Sequence, residues 1–144
     1  MTHRPWLARR FGAMLYDLLI LAALWMITAA LCLGLTGGHM DVQHPPWWQR
    51  VALLIVSASY FVLSWWRGGQ TIGMRAWRLR LTSLDDAPIS PARALLRFIL
   101  ASLSLALAGA GFWWAWLDRD HLTAHDRVCG TTIVQLPKPA RHRT

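Results

Sequence analysis

One stretch limits this chain more than any other: residues 11–35, an apolar run of 25 residues whose single charged member is Asp17. As a helix rising about 1.5 Å per residue, it reaches roughly 37 Å. That is enough to cross a hydrocarbon layer of about 30 Å with some tilt. A carboxylate inside such a helix costs about 2.5–3.5 kcal/mol at its centre on insertion scales, so it needs a partner or a task. The rest of the sequence is read for what Asp17 faces.

The apolar residues, 55% of the 144, fall in blocks, and only 15% of the chain is charged. This is the distribution of an all-α membrane protein, and the length gives one domain. The net charge of +8 would suggest nucleic acid in a soluble chain. Here the arginines border apolar blocks, which points instead to topology and anionic lipid headgroups, with no nucleic acid. Arg4, Arg9 and Arg10 before an apolar run resemble a signal peptide. The run is too long for one and no small-residue cleavage site follows, so the helix is read as an uncleaved anchor. Cys32 and Cys129 are too few for a disulfide framework and are read as free thiols.

A second span, residues 47–66, has paired tryptophans at both ends (Trp47-Trp48 and Trp65-Trp66), as the aromatic belts of two membrane interfaces require. Between the spans, His39 and His44 stand in a short polar loop without Lys or Arg. The loop of residues 67–90 holds Arg67, Arg75, Arg78 and Arg80, which by charge bias makes it and the N-terminus cytoplasmic. Within it Trp77, Leu79 and Leu81 alternate with Arg78, Arg80 and Thr82, the period of a half-buried strand. Residues 131–136 form a second strand-like stretch. Pairing the two gives a small two-stranded element on the cytoplasmic side.

The third apolar segment, about 92–117, opens with Ser90-Pro91 as helix cap and first position and is interrupted by Gly109-Ala110-Gly111. A single crossing would leave the basic tail, residues 118–144, outside. A re-entrant bend at the glycines would return it to the cytoplasm, and the strand pairing favours the bend. In the tail, His121 and His125 have the i,i+4 spacing of zinc sites. No Glu follows His121, so the metalloprotease pattern is missing, and a charge-rich interfacial helix is the simpler reading. Ser57, Ser59 and Ser64 have no base signature beside them, and neither nucleotide-binding glycine loop is present. The chain reads as a non-enzyme with no cofactor.

Four blocks taken in order resemble the RDD family of small bacterial membrane proteins: Arg10-x-x-Ala13-x-x-x-Asp17; Gly69-Gln70-Thr71-x-Gly73-x-Arg75 with Leu79-Arg80-Leu81; Arg93-Ala94-Leu95-Leu96-Arg97; and His125-Asp126-Arg127-x-x-Gly130-Thr131. Met74 and Cys129 depart from the usual residues of that pattern. The resemblance implies a multi-pass protein of the bacterial inner membrane. Its activity would be open between a structural or partner-binding component, sodium/proton exchange by a homodimer using Asp17, and a metal-dependent enzyme using His121 and His125. The expected site is a charge cluster of Arg10, Asp17, Arg93, Arg97, Asp126 and Arg127. In it Asp17 pairs with Arg93 or Arg97, and Asp126 with Arg10. A homo-oligomer or another membrane protein is the expected partner.

Overall fold

In the computed structural model, residues 7–39, 44–85, 87–106 and 127–137 are described. The order is α1 (Leu7–Leu35), α2 (Trp47–Gly68), α3 (Ile72–Ala76), β1 (Leu79–Ser83), α4 (Pro91–Ala106) and β2 (Thr131–Gln135). Among the described residues, α1 and α2 are the two helices long and apolar enough to cross a membrane.

Burial separates these helices from the core helix of a soluble protein. Only 11% of the most apolar stretch of each is covered by the rest of the chain. Helix α1 buries one stripe, Arg10, Ala13, Asp17 and Leu21, with Cys32 three turns further on, and exposes Leu15, Leu18, Leu19, Met26 and Ile27. The stripe repeats at three- and four-residue steps, which place side chains on one helix face. An apolar surface this extensive is stable when its solvent is lipid.

Helix α2 ends as its sequence dictates. Gly69 takes φ +64°, and its N–H donates to the Trp65 carbonyl, a left-handed stop open to glycine without steric cost. The chain then turns into α3, which lies against α1. Indole atoms of Trp77 occupy the space that a Cβ on Gly12 would need. Arg78, at φ 55°, turns the chain out of α3 and into β1.

Strands β1 and β2 pair antiparallel, Leu79 opposite Gln135 and Ser83 opposite Thr131. The expected pairing is therefore present, with a shifted start. Trp77 is the C-cap of α3 and not a strand residue, so the inward alternation begins at Leu79. Leu79 and Leu81 are buried and Arg80 is exposed, as period-two geometry requires. With Ala13, Trp65, Met74 and Ala94 they form the core, where α1, α2, α4 and the strand pair meet.

Helix α4 starts where Ser90 Oγ accepts the Arg93 N–H at 3.2 Å and packs on α2 through Phe98 and Phe61, ring centroids 5.9 Å apart. Arg97 in its second turn reaches Thr131 of β2. The chain thus enters α4 and reappears at Arg127–Gln135 at one end of the fold. The expected glycine break, with the rest of the third segment, lies outside the described residues.

Candidate functional site

The carboxylate of Asp17 is 6% exposed, and three donors close on it. Tyr60 Oη–H of α2 donates to Oδ1 at 2.7 Å, and the Gly73 N–H of α3 donates to the same oxygen at 2.9 Å. Thr71 Oγ1–H donates to Oδ2 at 2.5 Å. Two donors are reused as acceptors: Thr71 Oγ1 takes the Met74 N–H at 3.1 Å, and Tyr60 Oη takes the Ile72 N–H at 3.3 Å.

Local sequence explains the arrangement. The first N–H groups of a helix have no partner within it. Thr71, as N-cap, satisfies Met74, and the carboxylate satisfies Gly73 across the interhelical gap. Hydrogen bonds to an ionised group are about twice as strong as neutral ones. Three of them offset much of the cost of placing Asp17 in an apolar helix. Glycine at position 73 is a steric necessity. A Cβ there would lie 2.2 Å from the Ala13 carbonyl oxygen and 2.8 Å from Asp17 Cγ. The motif residues divide the remaining work: Gln70 Nε2 donates to the Leu79 carbonyl at 2.7 Å, and the Gly69 carbonyl accepts the Leu81 N–H at 2.7 Å. Arg75 is exposed at the end of α3.

The expected pairing of Asp17 with Arg93 or Arg97 is corrected by this geometry. Among the described residues no arginine bonds to Asp17; its donors are two hydroxyls and a backbone amide. Arg93 pairs with Asp85 at 3.6 Å and donates to Ser83 Oγ at 2.9 Å, a half-exposed contact of small energetic weight. Arg97 is 3% exposed. It donates from Nη1 to Thr131 Oγ1 at 2.7 Å, and its guanidinium lies 5.2 Å from the centre of the Trp65 ring. Arg10 is buried and Arg127 exposed. Asp126, His121 and His125 lie outside the described residues, and with them the Asp126–Arg10 pair and the two-histidine metal site.

Arg10, Asp17 and Arg97 nonetheless share a space: all three line a cavity of about 190 Å³ between α1, α2, α4 and the strand pair. Tyr60 is the functional residue that sequence reasoning missed. Its signal was depth. Tyr60 precedes Arg67 by seven positions, as Asp17 follows Arg10 by seven, which places both about 10 Å inside their helices. A further polar contact, Trp25 Nε1–H to Ser57 Oγ at 2.9 Å, joins α1 to α2 nearer the other end.

Among the described residues, two helices long and apolar enough to cross a membrane are tied by a buried carboxylate to a loop and a strand pair, an arrangement that suggests a membrane protein. The chain belongs to the RDD family, whose profile matches residues 4–130. No curated protein and no solved structure matches it.

Proposed function

We propose that this chain is a structural or partner-binding component of the bacterial inner membrane, multi-pass, with its N-terminus in the cytoplasm. Family membership and the two apolar helices support the membrane assignment. Orientation is supported by charge: Arg9, Arg67, Arg75 and Arg80 are exposed at the end that carries α3 and the strand pair, and cytoplasmic ends are enriched in such residues.

One observation carries the structural reading. The partners of Asp17 are three donors from its own chain, on α2 and on the start of α3. A carboxylate that carries a cation works among oxygen ligands turned toward the ion; here three hydrogens point at the carboxylate instead. Asp17 is a fastening between the spans and the loop. The exposed apolar flanks of α1 and α2 are left to lipid, to a second copy or to another membrane protein.

The test uses purified protein in sealed vesicles under an imposed sodium gradient, together with its thermal unfolding in detergent. Asp17→Ala is expected to lower the unfolding midpoint, and the native chain to produce no sodium-driven pH change. A sodium-driven pH change that a folded Asp17→Asn variant abolishes would overturn the reading in favour of exchange.

A further inference from the structure

The cavity beside Asp17 is polar at one end and hydrocarbon-lined along its length. Arg10 and Arg97, both buried, lie toward the basic end of the fold. From Arg97 the lining runs down α4 through Phe98, Ala101 and Leu105, positions that share one helix face and extend about 12 Å along its axis. Leu105, at the far end of this row, is 62% exposed, so the cavity is open there. Its volume of about 190 Å³ resembles that of an engineered apolar cavity of about 150 Å³ that takes up benzene. That is room for a stretch of one hydrocarbon chain, with the remainder left in the bilayer.

We propose that this cavity is a binding site for one anionic phospholipid, its phosphate held by Arg10 and Arg97 and the start of one acyl chain laid along Phe98, Ala101 and Leu105. Among the described residues the lining carries two guanidiniums and one carboxylate, and that carboxylate is already engaged by three neutral donors. Both arginines have other partners. A guanidinium has five N–H donors in a planar fork suited to phosphate, so a further acceptor adds to those contacts without replacing them. The order of the lining, from two arginines to apolar side chains, matches a lipid's own order from headgroup to acyl chain. The inference rests on the membrane assignment of α1 and α2 and is independent of what Asp17 does or which partner the protein has.

The full chain in neutral detergent is heated with phosphatidylglycerol, with phosphatidylcholine of the same acyl chains, or with inorganic phosphate. Unfolding is followed by labelling of the buried Cys32 and Cys129, and bound lipid is counted by native mass spectrometry. Phosphatidylglycerol is expected to raise the midpoint by at least about 4 °C, as a ligand of the native state does, and to remain bound at one per chain. Phosphatidylcholine and phosphate should do neither. Ala101→Trp fills the acyl path and should keep the unliganded midpoint while losing the shift. Ser102→Phe, at an exposed lining position, serves if Ala101→Trp does not fold. Equal shifts from the two lipids, a full shift from phosphate alone, or a shift that survives in the folded cavity-filling variant would each overturn the proposal.

Discussion

Gly73→Ala should be among the most damaging single-methyl additions in the chain. The new Cβ would lie 2.2 Å from the Ala13 carbonyl oxygen and 2.8 Å from Asp17 Cγ, and neither can swing aside as the tip of a side chain would. α3 must lift from α1. Overpacking of this kind costs about 1–3 kcal/mol, and the lost Gly73 N–H bond to an ionised acceptor about 1.5–3 kcal/mol. Alanine returns about 1 kcal/mol of helix propensity. A net loss near 3 kcal/mol lowers the midpoint by about 6–12 °C for a chain of this size. Cys32 and Cys129 are 6% and 5% exposed, so thiol labelling during a thermal ramp in detergent reports unfolding directly. Gly34→Ala, whose Cβ meets nothing within 4 Å, is the control and should be neutral to slightly stabilising, since it lies near the end of α1 and gains helix propensity without a clash. With Asp17→Ala also present, the Gly73→Ala penalty should shrink without vanishing, since the Ala13 carbonyl stays in place. A Gly73→Ala midpoint equal to that of Gly34→Ala would refute the close approach and the hydrogen bond together.

Tyr60→Phe removes one of the three donors to Asp17 and the acceptor of the Ile72 N–H. It should cost about 1.5–3 kcal/mol, read by the same thermal assay, while the ring contact with Phe61 is retained. Ser57→Ala removes the acceptor for Trp25 Nε1 and should cost only about 0.6 kcal/mol, the average of interhelical hydrogen bonds inside membranes. Gly12→Ala should rank between Gly34→Ala and Gly73→Ala in midpoint. Its Cβ would meet the Trp77 ring at 2.4 Å, and that side chain is 37% exposed and free to turn outward.

Much of the frame was legible because it follows from local rules. The apolar lengths gave α1 and α2, Ser90-Pro91 marked the start of α4, and alternation in residues 77–82 found β1, two residues early, and its pairing with 131–136. Trp77 was misassigned to the strand because its apolar side chain kept the alternation going. What ends that alternation is the left-handed Arg78, and no arginine announces such a backbone. The demand that Asp17 find a partner was sound, and the type of partner was not. Sequence reasoning sought an opposite charge because charges are visible in a sequence. The donors present are two hydroxyls and a peptide N–H, and only the packing of α3 on α1 brings that N–H within reach. Thr71 and Gly73 were recognised as part of a motif, yet nothing in their spacing says that they point at Asp17.

The structure also separates two jobs that a single charge cluster would have merged. Asp17 fastens α1 and α2 to α3, whereas Arg97 fastens α4 to β2 and stacks on Trp65. If the two formed an ion pair, exchanging them as Asp17→Arg with Arg97→Asp should restore the folding lost in either single variant, since Coulomb attraction is indifferent to which side carries which sign. The geometry predicts the opposite. An arginine at position 17 would turn its N–H groups toward the Tyr60, Thr71 and Gly73 donors and leave all of them without an acceptor, at about 1–3 kcal/mol for each buried group. An aspartate at position 97 would be too short to keep both the Thr131 bond and the Trp65 face. The double variant should therefore unfold at or below the midpoint of the worse single variant in the detergent ramp. Recovery above both singles would show that the pair interacts directly, and the division of labour argued from the hydrogen bonds would fall.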